Sequence, residues 1–287
     1  MVIYNPKDWW KLIFALNKSD TFRRMLPGIL GMALYSTIII VIEKDVLNVT
    51  FKNTTSIHSL VGFVLSMLLV FRTNTAYDRW WEGRKLWGSM VNNSRNLAFK
   101  LNALISDPVV KKRMRILIVN FINATKEHLR NGVGHEDLQS CDRYTIDDQL
   151  NADHVPNRIL QYLHIEITEL VNSQSISHEQ LLYLNSELQS FGDNLGACER
   201  IRKTPIPYSY NIFLKKIIFI YIASMPFGFA MDFGYWTAPI VAILFYVFGS
   251  IELIAEEIED PFGTDANDLP TDTISETIEN NLIELLG

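Results

Sequence analysis

The stretch LSMLLVFRTNTAYDRWWEGRKLWG, Leu65 to Gly88, constrains the fold more than any other part of the chain. An oily run ending at Phe71 meets arginines, tryptophans and acids from Arg72 onward, with no proline or glycine at the seam. Proline and glycine are the usual helix breakers. Without either, the pattern predicts one helix that leaves a membrane and continues into water.

Four segments match a bilayer span: Leu26 to Ile42, Ile57 to Phe71, Ile217 to Phe233, and Tyr235 to about Ala255. Each is near or slightly below the roughly 20 residues of a straight span. Buried helices of soluble proteins carry similar runs. Composition does not separate the two, since 48% hydrophobic and 20% charged residues suit either class. Charge placement favours the membrane. Lys18, Arg23 and Arg24 precede the first segment, Arg72, Arg79, Arg84 and Lys85 follow the second, and Arg200, Arg202, Lys203, Lys215 and Lys216 precede the third. The short connections, Lys44 to Ser56 and Asp232 to Tyr235, are nearly free of basic residues. The positive-inside rule then predicts two membrane hairpins, with both termini and the middle in the cytoplasm of the cell bounded by that plasma membrane. Tyr235 and Trp236 suit the outer interface, and Trp9 and Trp10 the inner one. Asn48 and Asn53 begin N-x-T triplets on the outer loop, a pattern frequent by chance. No apolar leader with a small-residue cleavage site is evident.

The expected organisation has four parts: an N-terminal amphipathic segment with the first hairpin (1–71), a helical cytosolic region (72–211), a second hairpin (212–255) and an acidic tail (256–287). In the middle region apolar residues recur at helical spacing, and NGVGHEDLQSCDRYTIDDQLNADHVPNR reads as a polar, turn-rich insertion. Strand signals are weak, so the fold class is all-α. The net charge of −6 speaks against a nucleic-acid partner. Cys141 and Cys198 show no metal-ligand spacing and are expected as reduced thiols. The six histidines are scattered, and no nucleotide, hydrolase or metalloprotease motif occurs, so no enzyme is expected.

Within the second segment Phe63, Met67 and Phe71 recur every four residues and form a bulky apolar stripe. Gly62 and Ser66 form a small stripe beside it, suited to close approach of another helix. In a ring of identical helices the small stripe would pack on the neighbour and the bulky stripe would face the axis. Such a constriction gates ions by dewetting. Ordinary helix packing would produce the same stripe. Beyond the seam, Asp78, Glu82 and Arg84 lie among Trp80, Trp81 and Trp87, which reads as an interfacial belt with intersubunit ion pairs. After Lys216 there is no further lysine or arginine; Glu252, Glu256, Glu257, Glu259, Asp260, Asp265 and Asp268 follow. Their spacing is not that of an EF-hand loop, and a solvated acidic face is the plainer reading. DPFG reads as a turn that ends a helix.

Three motifs, FRTNTAYDRWWEGRKLWG from Phe71, GACERIRKTPIPYSY from Gly196 and AEEIEDPFGTDANDLP from Ala255, together resemble the bestrophin family in its prokaryotic branch. The resemblance implies a homopentamer around one axial pore, with four membrane helices per subunit embedded in lipid. It implies a hydrophobic neck at Phe63, Met67 and Phe71, the stripe already seen by spacing. Ungapped counting from Asn157 places the family's cytosolic aperture at Glu179, where many relatives are apolar. In animal relatives the acidic segment holds calcium. The resemblance assigns that role here to Asp265 and Asp268, with Glu257 and Asp260 nearby, while ANDLP departs from the pattern. No cofactor is required; a divalent cation such as calcium is the one candidate.

The expected function is a passive channel for small monovalent ions. Glu179 and the acidic tail lean toward cations, because a ring of glutamates attracts them. The basic residues after the neck and the family's animal and plant members lean toward anions such as chloride. A membrane-anchored scaffold or receptor with a closed axis is the alternative of another class.

Overall fold

The computed structural model describes Trp10, residues 20–47 and residues 55–287. Trp9, Lys18, the remainder of the N-terminal amphipathic segment and the triplets at Asn48 and Asn53 lie outside the described residues. Among the described residues all longer regular elements are helices: α1 (Asp20–Val41), α2 (Thr55–Leu104), α3 (Pro108–His128), α4 (Ile146–Leu150), α5 (Val155–Asn172), α6 (His178–Lys203), α7 (Tyr208–Phe233), α8 (Thr237–Glu259) and α9 (Thr271–Leu286). The chain divides into two units, Val2–Arg79 with Pro205–Glu259, and Trp80–Thr204 with Asp260–Gly287.

The seam at Phe71 and Arg72 lies inside α2, a single helix of 50 residues. At 1.5 Å per residue it is about 75 Å long, against a hydrocarbon layer of about 30 Å. The predicted continuity holds because no proline interrupts the segment and its glycines are isolated.

The first unit contains α1, the start of α2, α7 and α8. Three stretches are long and apolar enough to cross a bilayer: Thr21–Leu47, Ser56–Leu104 and Tyr208–Glu259. The last reverses at a short 3-10 turn, Gly234–Trp236. Gly234 has φ +54, which glycine adopts without a Cβ penalty. Residues at equal distance on either side of the turn meet, as the ring of Tyr221 does with that of Phe248 at 5.9 Å. The stretch is therefore an antiparallel hairpin. After α1 the chain passes through a π-helical turn, Ile42–Leu47. Asp45 there accepts a 2.6 Å hydrogen bond from the Tyr235 hydroxyl, so the connection after α1 and the α7–α8 turn lie together. Leu65 and Leu69 on α2 pack against Met32, Ile218, Ile222, Met225 and Val241.

The second unit holds the rest of α2 with α3, α5, α6 and α9 around an apolar core. The rings of Phe121 and Phe191 stand 5.1 Å apart in it. Ile159, Leu163 and Ile167, at four-residue spacing on α5, are fully buried. Helix starts follow capping chemistry. Asp107 accepts from the Val109 amide ahead of Pro108, and Ser177 and Gln180 form a capping box on α6. Trp87, expected in an interfacial belt, is instead completely buried in this core. Its ring lies on the inward face of α2, where apolar area counts for more than the indole's affinity for an interface. Cys141 and Cys198 are free thiols. Burial pushes the Cys198 thiol up to about 12, which leaves it unreactive.

Candidate pore-lining face and charged network

On the membrane part of α2 two faces separate cleanly. Leu65, Leu69, Arg72 and Ala76 follow one another at spacings of four, three and four and are buried. Phe63, Met67 and Phe71 lie on a different face and are 64%, 45% and 58% exposed in the single chain. A large apolar side chain left exposed at this density needs lipid or another protein against it. The small stripe behaves differently from expectation. A Cβ on Gly62 would come within 2.5 Å of the Tyr221 hydroxyl, so this glycine accommodates α7 of its own chain. Ser66 turns its hydroxyl back to the Gly62 carbonyl at 2.8 Å.

Just past the stripe, Arg72 is buried within the first unit. Its Nη2 donates to Glu259 at 2.6 Å, and its Nε lies 3.6 Å from Glu252, an ion pair too long for a hydrogen bond. The second oxygen of Glu259 accepts from the Ile206 amide at 2.6 Å. Arg79 donates to the Glu259 carbonyl at 3.0 Å. Arg24 pairs with Glu257 and Lys215 with Glu256. One expectation is corrected here. The acidic stretch on α8 is not a solvated face, because Glu252, Glu257 and Glu259 are buried. Charges taken out of water demand partners, and α8 brings its acids to the bases of α1, α2 and α7.

Within the second unit the first motif meets the other two. Gly83 lets Pro261 and Phe262 approach: a Cβ there would lie 3.1–3.2 Å from their rings. The Trp80 indole donates to the Asn267 carbonyl at 3.0 Å, and Arg200 pairs with Glu82. The Asp268 carboxylate is buried and accepts from the Asp265 amide at 2.6 Å, while Asp260 and Asp265 are exposed. Glu179 sits exposed in the first turn of α6. A 2.6 Å hydrogen bond from the Ser177 hydroxyl holds its carboxyl below the usual range, so it stays ionised at neutral pH. Leu182 and Tyr183, one turn further on, are also exposed.

One grouping was invisible in the sequence. His128, His154 and Glu199 are far apart in the chain, yet one ligand atom of each lies within 4.8 Å of the others. Both imidazoles reach the same Glu199 oxygen, at 2.9 Å and 2.6 Å. Burial, helped by His154, lowers the His128 pKa. Burial works to raise that of Glu199, but the His154 hydrogen bond and nearby positive charge outweigh it and hold the carboxyl down. The only sequence signal was the position of the histidines at the two edges of the polar insertion.

This geometry has counterparts. A relative from Nostoc sp., named a voltage-dependent anion channel-forming protein, is 35% identical over 97% of this chain and 92% of its own length. One of the same name from Escherichia coli is 29% identical over 99% of this chain and 94% of its own. The crystal structure of a bacterial bestrophin homologue from Klebsiella pneumoniae superposes with a TM-score of 0.85 at 29% identity, covering 92% of this chain and 98% of that one. The profile of the family described as Bacterial/Fungal Bestrophin protein matches residues 1–284, and the chain belongs to that family.

Proposed function

We propose that this chain is one subunit of a homopentameric, passive ion channel in the bacterial inner membrane, and not an enzyme. Four helices per subunit, α1, the start of α2, α7 and α8, cross the bilayer, with both termini cytoplasmic. The observation that carries the proposal is the two-faced α2. Leu65 and Leu69 are committed to the subunit's own core, and Phe63, Met67 and Phe71 are left outside it. Five such stripes facing an axis make a greasy neck that passes ions only when wetted. Exposed Phe99, Leu182 and Tyr183 in the second unit suit contacts between subunits. The relatives named as channel-forming proteins support conduction.

For ion sign we favour small monovalent cations. Arg72 is buried and paired within its chain, so it offers little charge to an axis. Glu179 is exposed and ionised, and five copies at the cytosolic aperture would attract cations. The anion reading has its own support, the printed names of the relatives. Reversal potentials in liposomes under a potassium chloride gradient decide between them. The expected value lies toward the potassium equilibrium potential, and Glu179→Gln moves it toward zero. A wild-type value at the chloride potential removes the glutamate ring from the account. No single-channel current at all supports the scaffold reading.

Glu257 is paired with Arg24, so a calcium clasp that used it would need that pair released. Conduction is proposed to need no cofactor.

A further inference from the structure

We propose that His128, His154 and Glu199 form a binding site for a transition-metal dication, with zinc as the fitting ion. The three residues arrive from different places. His128 is the last residue of α3, His154 caps the start of α5, and Glu199 lies on α6. Their ring and carboxylate atoms converge. The imidazoles are tilted at 39° with centroids 4.4 Å apart, and both Nε2 atoms point at Glu199 Oε1. Two imidazole nitrogens and one carboxylate oxygen are a zinc ligand set, and water completes the tetrahedron. Imidazole selects against magnesium and calcium, which prefer oxygen alone.

The surroundings permit entry. The three side chains are 25%, 29% and 18% exposed, neither buried nor fully solvated. Lys203 reaches the other oxygen of Glu199, at 3.4 Å, and would hold the carboxylate monodentate. The cluster also has a structural logic. His128 and His154 stand at the two edges of the turn-rich insertion, so one ion would tie both ends of that loop to α6. Closing a loop by a metal clip stabilises the fold by reducing the freedom of the unfolded chain.

Binding requires one rearrangement. The Asn157 amide donates to His154 Nδ1 at 3.2 Å, so without metal the His154 proton sits on Nε2 and is given to Glu199. Zinc on Nε2 demands the other tautomer, with the proton on Nδ1 and the Asn157 amide turned to water. The first turn of α5 therefore loosens as the ion binds, and the Asn157 amide should exchange faster in zinc than without it.

The test uses the full-length protein in detergent, stripped of metal and titrated with zinc chloride at pH 7.5. The expected result is one zinc per chain, no competition from magnesium, and a rise in melting temperature. His128→Ala and His154→Ala should each weaken binding at least about tenfold, and Glu199→Gln should do so without altering the shape of the site. His178→Ala, remote from the cluster, should bind as the wild type does. Anomalous diffraction at the zinc edge from wild-type crystals should place a peak between the two Nε2 atoms. A peak elsewhere, or equal binding by the wild type and the His128→Ala/His154→Ala double variant, overturns the proposal. The diffraction arm needs no variant and stands even if a substitution prevents folding.

Discussion

In the unit built from α3, α5, α6 and α9, the rings of Trp87, Phe121, Phe191 and Phe262 lie inside and most ion pairs have a partner at the surface. In the unit built from α1, the start of α2, α7 and α8, the order is reversed. Phe63, Phe71, Phe213 and Phe219 are exposed, while Arg72, Glu252 and Glu259 are buried. The same residue types have changed places because the surroundings differ. Water rewards burial of apolar area, whereas lipid is as apolar as leucine and gives no such reward between helices. What holds the first unit is close packing and a charged network at one end. What holds the second is an ordinary hydrophobic core.

The largest expected difference between the units comes from phenylalanine. Phe191→Ala removes a ring from the closed core beside Phe121 and should cost about 3–5 kcal/mol. It should be seen as a steep loss of melting temperature or of folded yield. Phe63→Ala removes a ring that touches little of its own subunit, and should leave the subunit's fold intact while altering ion flux. Equal destabilisation by the two variants would erase the distinction drawn between the two units.

The second test reverses the roles. Arg72→Ala strands two buried carboxylates, and breaking a buried pair costs about 3–5 kcal/mol. Glu259→Gln keeps an acceptor for the Ile206 amide and loses only the charge, so it should cost less. Thermal unfolding of both variants checks the order. An Arg72→Ala protein as stable as the wild type would show that the network is not what holds this end of the unit.

How much of this was legible beforehand depends on the range of the interaction. The continuity of α2 was readable because it is local: no breaker stands between Leu65 and Gly88. The stripe at Phe63, Met67 and Phe71 was readable for the same reason, since helical spacing alone puts the three side chains on one side. The direction in which Gly62 faces was not, because it depends on Tyr221, far along the chain. The pairing of Arg72 with Glu259 and the meeting of His128 with His154 are likewise tertiary. Charge runs show the amounts of acid and base but not their partners, so the acids of α8 read as a solvated face. Trp87 was misplaced because it follows the charged run Glu82, Arg84 and Lys85, while its position on the helix turns it inward.

A third comparison concerns two glycines in α2, one in each unit. Gly83→Ala would press on two rings, of Pro261 and Phe262, that belong to a packed turn. Overpacking of this kind costs about 1–3 kcal/mol. Gly62→Ala meets the far end of the Tyr221 phenol, its hydroxyl at 2.5 Å and Cζ at 3.3 Å, which can swing aside, and gains about 1 kcal/mol of helix propensity. The expected order in detergent melts is therefore Gly83→Ala below wild type and Gly62→Ala near it. The opposite order would mean that the α2–α7 contact is the tighter of the two.

The smallest effect is a pH dependence confined to the second unit. Asp272 accepts from Arg130 at 2.9 Å and 2.7 Å and lies 3.0 Å from Lys126. The hydrogen bonds from Arg130 outweigh the opposing effect of burial, and with Lys126 they hold its carboxyl well below the usual range. A depressed carboxyl adds stability above its unfolded pKa of about 3.9. That stability is lost as pH falls from there through the lower folded value. The Asp272 side chain is 65% exposed, so solvent screens the pair, and its worth should be about 1 kcal/mol or less. Melting temperatures should fall between pH 4 and pH 2 for wild type and fall less for Asp272→Asn. Asp142, held down by Arg113, adds to the slope of both proteins and cancels in the difference. The difference between the two curves should shrink toward the acid end, as the wild-type carboxyl begins to take up its proton. A gap that instead widens toward acid would mean that the substitution acts through packing on α9 and not through the charge.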